Sequence, residues 1–379
     1  MMLLKIDKTF KRWVLSLGLL VSSVFLASCT EKEPVKIGFI GGLSGRVADL
    51  GTAGRNGFML AIEEQNAKGG LHGRPIEIIF KDDQQQPQRA QTLIDELLKE
   101  NVDAIIGPMT SAMAMATVSQ INEANTLMMA CTVSTNQLTD FDDSFMRPLS
   151  DNKSHAAKMG AFIKQHEPLA KRAVAIVDIG NKAYTLDWVE GFKQAYENDS
   201  NSLRATHTFI STDDTPFARV ANVAMKINPD LVVLAMNAVD ATLMIKQIRL
   251  ANPEVVIAVA EWAGTERLIQ LGGQYVENVY VPQYIDRSST KKSYLTFKQR
   301  FNKRFQSAPG FPALFCYDAT RIVLTGLSRR EAPQSLKEIL LSIGSFEGTQ
   351  GPIRLNKYGD GQSSTFITRI QNGRFVVME

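Results

Sequence analysis

The sequence predicts an α/β protein with two lobes, each built around a parallel sheet that helices cover on both faces. Short, nearly continuous apolar segments alternate with amphipathic segments of helical period from residue 35 onward, and the alternation begins again after residue 150. Strands that are apolar on both faces are typical of parallel sheets buried between helices. The length of 379 residues also suits two domains of ordinary size.

The first lobe begins with a strand, a helix and a second strand. Residues 35–40 form a β-rich run, residues 54–68 carry apolar side chains on one helical face before a pair of glycines, and residues 75–80 form the next run. A third strand is predicted at residues 102–106. The helix before it has apolar residues at i, i+3, i+4, i+7 and i+8: Ala90, Leu93, Ile94, Leu97 and Leu98.

The second lobe repeats this alternation. Residues 241–250 predict one of the helices between its strands. Ligands of open parallel sheets bind beyond the carboxyl ends of the strands, so two facing lobes make a cleft lined by the residues that follow each strand. The predicted strands are residues 172–177, 205–210, 231–235 and 255–259.

The N-terminal residues have the pattern of an export signal. Four basic residues precede an apolar stretch over residues 13–27, which is short for a membrane span, and the small residues Ala27 and Ser28 come directly before Cys29. The tetrapeptide Leu-Ala-Ser-Cys that ends at Cys29 resembles the lipobox of bacterial lipoproteins. This resemblance implies that residues 1–28 are a signal peptide, that Cys29 is lipidated, and that residues 29–34 are a short tether. The alternative is a retained N-terminal anchor with an incidental cysteine.

Charge and cysteine content narrow the choice of partners. Residues 1–28 carry four bases and one acid, so their removal takes the formal net charge of the chain from +3 to zero. The basic balance of the full sequence therefore gives no reason to expect a nucleic-acid partner.

Cys131 and Cys316 are the other two cysteines. They could pair in an oxidising compartment, but we expect buried free thiols.

Several short motifs occur together and in order along the chain. They are Ile37-Gly38 with Leu43-Ser44-Gly45, Asn66-Ala67-Lys68-Gly69-Gly70, Asp82-Asp83, Ile106-Gly107-Pro108 with Ser111, Tyr317-Asp318-Ala319, Gly351-Pro352-Ile353-Arg354-Leu355 with Gly359-Asp360, and Asn372-Gly373-Arg374-Phe375-Val376. Together they resemble the type I periplasmic binding proteins, in particular the Leu/Ile/Val-binding branch, and the match extends over essentially the whole mature chain.

The resemblance implies a fold and a mode of action. The fold has two doubly wound, Rossmann-like lobes joined by three crossovers that act as a hinge. The N-terminal lobe comprises residues 35–152 and 285–364, and the C-terminal lobe residues 153–284 and 365–379. A ligand that bridges the lobes selects the closed form, which a membrane permease then recognises.

The resemblance also places a ligand carboxylate against the first lobe. Ser111 follows a strand and opens a helical stretch, where its hydroxyl and the free N–H groups of the first turn suit an anion. Thr132 and Ser134 follow the apolar run 127–130, and relatives use this segment for the same carboxylate. Thr132 stands where the branched-chain binders carry a small apolar residue. From the residues alone, Ser111 is a plain N-cap serine, and the other two are turn formers.

Glu261 is the expected partner of a ligand ammonium in the second lobe. It ends the apolar run 255–260, where an unpaired carboxylate is costly. The resemblance implies that a glutamate at this position binds the ligand's α-ammonium. The alternative is an ion pair with a nearby base such as Arg249.

Four further residues are candidates for the walls of the cleft. Tyr184 and Trp262 are expected as aromatic walls, or else as packing within the lobe. Leu50 and Asn237 stand where the branched-chain binders carry tyrosines. The resemblance therefore leaves leucine, isoleucine or valine, a more polar amino acid, and a related amide all open as ligands.

Other chemistry is not indicated. The four histidines share no metal-ligand spacing with one another or with the cysteines, and the sequence lacks a nucleophile elbow and a Gly-Lys-Ser/Thr phosphate loop. We expect a monomer that is not an enzyme and that has no cofactor and no metal.

Two functional hypotheses follow. The leading one is a lipid-anchored solute-binding subunit of an ABC importer, in the periplasm or at the outer face of the cell envelope, with ABC permease subunits as its partners. The second is a regulatory envelope lipoprotein of the same fold that acts on a protein partner. Thr30 follows Cys29 where many inner-membrane lipoproteins carry aspartate, so inner and outer membrane both stay open.

Overall fold

Two separate sheets organise the part of the chain that the structure describes, which in this computed structural model is residues 33–331 and 333–379. The predicted signal peptide, the lipidation of Cys29 and most of the predicted tether lie outside the described residues. In chain order the strands are β1 Val35–Gly41, β2 Ile76–Asp82, β3 Ala104–Ile106, β4 Met128–Met129, β5 Phe145–Met146, β6 Arg172–Asp178, β7 Ser202–Phe209, β8 Leu231–Ala235, β9 Val256–Val259, β10 Tyr280–Gln283, β11 Ser345–Glu347, β12 Pro352–Arg354, β13 Phe366–Gln371 and β14 Arg374–Val377.

Helices cover both sheets. In chain order they are α1 Ala48–Asn66, α2 Pro87–Lys99, α3 Ser111–Glu123, α4 Asn152–His166, α5 Lys182–Tyr196, α6 Phe217–Met225, α7 Ala238–Ala251, α8 Glu266–Gly272, α9 Lys292–Phe305, α10 Phe311–Ser328 and α11 Leu336–Ile343. Local sequence sets several of their ends: Pro87 opens α2, Asp151 caps α4 through its side chain, and Ser335 caps α11 in a capping box with Glu338. None of the described helices is both long and apolar enough to cross a bilayer.

The first sheet has the order β2-β1-β3-β4-β5, and all of its strands are parallel. In this sheet β2 lies on one side of β1 and β3 lies on the other side, so the strand order reverses next to β1. The second sheet has the order β14-β13-β10-β9-β8-β6-β7, in which β13 is antiparallel to its two neighbours, β10 and β14, and the pairs from β10 to β7 are parallel. Its order reverses between β6 and β8. Each sheet thus has a switch point, the usual place for a ligand.

The chain passes between the two sheets three times: after β5, after β10 and after β12. The prediction of two doubly wound α/β lobes is confirmed. His155 lies where these passages meet, because its Nε2 atom is 2.7 Å from Oγ of Ser150 and its ring is 4.7 Å from that of Tyr284. Burial lowers the pKa of His155 to about 4, so this ring is neutral at pH 7.

The first helix begins six residues earlier than the sequence predicts. The glycines of its first half favour a loop, since glycine weakens a helix interior. In the structure they instead allow close packing. A Cβ atom added at Gly51 would lie 2.0 Å from the carbonyl oxygen of Gly42, and one added at Gly57 would lie 1.9 Å from that of Ala313. Tertiary packing therefore outweighs the local preference.

The expectation of free thiols is wrong. Cys131 and Cys316 are both fully buried and form a disulfide across a sequence separation of 185 residues. It joins the loop after β4 to the second turn of α10. Their separation along the chain hid the pairing, because only the packing of α10 against the end of the first sheet brings the two residues together.

Candidate functional site

The carboxyl ends of both sheets face one cavity between the lobes. Its volume is about 20 Å³, far below the range of about 300–1,000 Å³ usual for ligand sites. Both lobes contribute walls, and most of the lining side chains are apolar or aromatic. The lining residues are Leu50, Met109, Thr110, Ser111, Thr132, Asn181, Tyr184, Trp262, Tyr284 and Phe311.

Ser111 lies on the cavity wall at the first position of α3. Its side chain is buried, at 2% exposure, and Oγ has no hydrogen-bond partner among the described residues. Thr110, not Ser111, is the N-cap residue, so the hydroxyl of Ser111 is not used to cap the helix. A helix N-terminus carries partial positive charge and exposed N–H groups, so this end of the cavity favours an anion.

Thr132 and Ser134 take different places. Thr132 lines the cavity, and its hydroxyl donates to the carbonyl oxygen of Met109 at 2.5 Å, which fixes the side chain. Ser134 is fully buried behind the wall, where Oγ lies 3.5 Å from the hydroxyl of the wall residue Tyr284. The structure therefore brings Thr132 to the cavity beside Ser111 but puts Ser134 one layer behind it.

Glu261 is fully buried at the end of β9, directly behind Tyr184 and Trp262. Its Oε2 atom accepts hydrogen bonds from the Tyr184 hydroxyl at 3.0 Å and from Nε1 of Trp188 at 2.6 Å. Oε1 has no partner among the described residues. Burial raises the pKa of Glu261 to about 7, although these hydrogen bonds act in the opposite direction.

The alternative of an ion pair between Glu261 and Arg249 is wrong. Arg249 donates instead to the carbonyl oxygens of Pro253 and Val255, at 2.8 and 2.7 Å. Among the described residues, the carboxylate of Glu261 thus has two neutral side-chain donors, both on Oε2, and no cation.

Three of the predicted wall residues, Leu50, Tyr184 and Trp262, line the cavity. The rings of Tyr184 and Trp262 meet edge to face at 6.0 Å, and the backbone N–H of Trp262 donates to the Tyr184 hydroxyl at 3.2 Å. The indole N–H of Trp262 has no acceptor among the described residues. The two aromatic walls are therefore held against each other at the second-lobe side of the cavity.

Asn237 does not reach the cavity. Its Oδ1 atom accepts from the backbone N–H of Asp240 and caps α7, while its Nδ2 atom donates to Oδ2 of Asp240 at 2.8 Å. The position that the resemblance gives to a pocket residue is thus occupied by a helix cap.

Polar contacts hold the lobes together around the cavity. Nη1 of Arg46 in the first lobe lies 2.8 Å from Oδ1 of Asp240, which is fully buried in the second. On the same side, the hydroxyl of Thr265 donates to Asp49 at 2.6 Å. These contacts describe a conformation in which the lobes are closed.

Asn181 adds a contact next to the predicted carboxylate site. Its Oδ1 atom accepts from the backbone N–H of Ala112, in the first turn of α3, at 2.9 Å. Tyr284 immediately follows β10 and Asn181 lies three residues after β6, so the strand-end rule would have pointed to both wall residues. Met109 also lies three residues after a strand, β3, but an apolar residue there is indistinguishable from core in the sequence, and Phe311 follows no strand.

Among the described residues, no group of three or more His, Cys, Asp and Glu side chains is placed to hold a metal ion. The polar atoms of the cavity are hydroxyl, amide and indole groups, with a carboxylate behind them. This set is suited to hydrogen bonding of a small polar ligand.

Comparison with known proteins agrees with this architecture. A family model described as periplasmic binding protein matches residues 34–374. The Leu-, Ile-, Val-, Thr- and Ala-binding protein of Pseudomonas aeruginosa is 20% identical over 90% of this chain and 91% of its own. The Leu/Ile/Val-binding protein of Escherichia coli K12 is 21% identical over 86% and 88%.

Solved structures give the same picture. The branched-chain amino acid transporter substrate-binding protein LivJ of Streptococcus pneumoniae, in complex with isoleucine, aligns with a TM-score of 0.83 at 21% identity, over 90% of this chain and 98% of its own. An ABC transporter solute-binding protein of R. palustris, in complex with benzoate, aligns with a TM-score of 0.82 at 20% identity, over 91% and 95%.

The fold and the cavity define a two-lobe α/β protein with a ligand site between its lobes. The chain belongs to the type I periplasmic binding proteins of the branched-chain amino acid family. This family consists of solute-binding proteins of transporters, which are not enzymes, and it implies an extracytoplasmic location.

Proposed function

We propose that this protein is the solute-binding lipoprotein of an ABC importer, and that it closes its lobes on an amino acid or a related small zwitterion or amide. The observation that carries this proposal is a pair of buried atoms without partners: Oγ of Ser111 in the first lobe and Oε1 of Glu261 in the second. Buried polar atoms are nearly always hydrogen-bonded, so each of these atoms requires a partner that the described chain does not supply.

A zwitterion supplies both partners. Its carboxylate binds the hydroxyl of Ser111 at the positive end of α3, and its ammonium binds Oε1 of Glu261. Because one group is in each lobe, the ligand makes its full set of contacts only when the lobes are closed. Differential contact of this kind is what allows a ligand to shift a conformational equilibrium.

The cavity limits the size of the ligand. A volume of about 20 Å³ holds little more than a water molecule, so a ligand of amino-acid size binds only when the walls move further apart. Leu50, Phe311 and Tyr284 then provide apolar and aromatic contact for its carbon frame. The relatives support this class of ligand, because their names and titles include several amino acids and, for one, benzoate. All of these ligands carry a carboxylate.

Closure also prepares delivery. The contacts of Arg46 with Asp240 and of Asp49 with Thr265 join the lobes at the rim, and a permease that recognises the closed surface receives only loaded protein.

Calorimetry of the purified mature chain against the twenty amino acids tests the binding step. Submillimolar binding of at least one amino acid is expected, whereas binding of none favours a regulatory lipoprotein of the same fold.

The lipid tether is tested separately. Metabolic labelling with a radioactive fatty acid is expected to label the wild-type protein and the Cys316→Ser variant but not Cys29→Ser. Partition of the wild type into the detergent phase is expected to follow the same pattern. Labelling of Cys29→Ser would contradict the assignment of Cys29 as the lipidated residue.

A further inference from the structure

We propose that the ligand carries a neutral hydrogen-bond acceptor on its side chain, a hydroxyl or a carboxamide oxygen, and that this atom binds the indole N–H of Trp262. This inference rests on the proposed function, since it names the class of amino acid that the same cavity holds.

The indole N–H of Trp262 lacks an acceptor although the residue is only 6% exposed. Trp188 provides the comparison within the same lobe: its indole N–H is also buried and donates to Glu261 at 2.6 Å. Trp188 belongs to the core, whereas Trp262 lines the cavity. A buried donor without an acceptor is costly, and a ligand that enters the cavity can remove this cost.

The ring of Trp262 is held firmly in its place on the wall. Its backbone N–H donates to the hydroxyl of Tyr184, and its ring packs edge to face against that of Tyr184. The Tyr184 hydroxyl is itself committed to Glu261 as a donor. Trp262 therefore offers the ligand a donor in a fixed position, while Tyr184 offers mainly its ring.

Asn181 makes this side of the cavity still richer in donors. Its Oδ1 atom accepts a hydrogen bond from the backbone N–H of Ala112, so the side chain of this wall residue can bind a ligand through its amide NH₂ group, which is a donor. Two donors on the second-lobe wall match a ligand oxygen.

The acceptor is neutral because of the remaining walls. None of the described residues that line the cavity is basic. A side-chain carboxylate would therefore be buried without a cation, which costs far more than burying a hydroxyl or an amide. An entirely apolar side chain, in contrast, would fill the space and leave the indole N–H unsatisfied.

Calorimetry with two matched pairs of ligands tests the inference. L-threonine and L-valine differ by a hydroxyl in place of a methyl group, and L-asparagine and L-leucine differ by a carboxamide in place of an isopropyl group. We expect the wild type to bind one polar member about 10- to 100-fold more tightly than its apolar partner. We expect Trp262→Phe, which keeps a ring but lacks the N–H, to reduce that ratio to within about threefold.

A second measurement does not depend on a variant. Trp188 and Trp262 are the only tryptophans of the mature chain, since Trp13 belongs to the predicted signal peptide. In protein labelled with ¹⁵N at the indole nitrogen, the preferred polar amino acid is expected to shift the Trp262 proton downfield, and the Trp188 signal serves as the reference.

The outcomes separate this inference from the proposed function. If apolar and polar members bind equally well, or if Trp262→Phe weakens both equally, the indole N–H serves no side-chain acceptor and the inference is overturned while the proposed function stands. If neither pair nor any other amino acid binds, the proposed function fails and this inference fails with it.

Discussion

The hydroxyl of Tyr184 donates a hydrogen bond to Oε2 of Glu261 at 3.0 Å and joins the ends of two strands of the second sheet. Tyr184 lies in the helix after β6, and Glu261 is the second residue after β9. The bond fixes one oxygen of the carboxylate and leaves the other, Oε1, without a partner. One carboxylate oxygen is therefore hydrogen-bonded within the protein, and the other lacks a partner, as expected of a group that binds a ligand cation.

The pH dependence of ligand affinity follows from the raised pKa of Glu261. Burial raises this pKa to about 7, so below pH 7 the group is mostly neutral and cannot pair with an ammonium. Burial also raises the pKa values of Tyr184 and Tyr284, so both phenols stay neutral. Affinity should rise with pH up to about 7 and level off above it, with a slope of up to tenfold per unit below pH 7.

Calorimetry from pH 5.5 to 8.5 checks this profile. Glu261→Gln should bind weakly at every pH and lack the slope. Equal slopes in the wild type and in the variant would assign the titration to another group, such as Asp178, whose pKa burial raises to about 6.

Ser111→Ala removes the hydroxyl that we assign to the ligand carboxylate. A hydrogen bond to a charged group contributes about 1.5–3 kcal/mol, so the affinity should fall about 10- to 150-fold. The free energy of unfolding without ligand should change little, because the hydroxyl has no partner in the protein. Ser342→Ala is the matched control: this exposed helical serine bonds only to the carbonyl of Ile339, and its loss should leave affinity unchanged. Equal affinities of wild type and Ser111→Ala would refute the assignment.

The ion pair between Arg46 and Asp240 should stabilise the closed form. It bridges the lobes at 2.8 Å, with Asp240 fully buried. Asp240→Asn keeps the shape and removes the charge, so the closed form should lose about 1–2 kcal/mol and ligand affinity should fall about 5- to 30-fold. Small-angle X-ray scattering should show a larger radius of gyration at a fixed subsaturating ligand concentration. Arg172→Gln breaks a pair with Asp230 inside the second lobe and should change neither quantity; a similar change in both variants would contradict a role in closure.

The disulfide should stabilise the first lobe. Cys131 directly precedes the wall residue Thr132, so the bond also anchors part of the cavity. Reduction should lower the free energy of unfolding by about 2–4 kcal/mol in denaturant titration. The Cys131→Ser, Cys316→Ser double variant should be equally destabilised and insensitive to reductant. Identical unfolding of the wild type with and without reductant would show that the bond does not contribute.

The sequence was sufficient to predict the alternation of strands and helices, because apolar periodicity is a local signal. The family resemblance, and not the local pattern, placed Ser111 and Thr132 at the ligand, and both line the cavity, as does Trp262, for which cleft wall and lobe packing were both open. Packing between distant segments was not predictable. The disulfide between Cys131 and Cys316 depends on such packing.

The roles of two other residues depended on where neighbouring side chains point. Asn237 was expected in the pocket and instead caps a helix, since its nearest hydrogen-bond partner is Asp240, three residues away. Arg249 was the alternative partner of Glu261, but local carbonyl groups satisfy it first. Sequence spacing shows which strand a residue follows, but it does not show which hydrogen-bond partner its side chain takes.

The central claim is that the two lobes close on the two ends of a zwitterion. The most direct measurement is calorimetry of the wild type and Glu261→Gln with the tightest-binding amino acid, its analogue without the amino group, and its carboxamide. The account predicts that removal of either charged end weakens binding to the wild type by at least about 100-fold, and that Glu261→Gln no longer distinguishes the amino acid from the analogue without the amino group. Equal binding of that analogue and the amino acid to the wild type would contradict it.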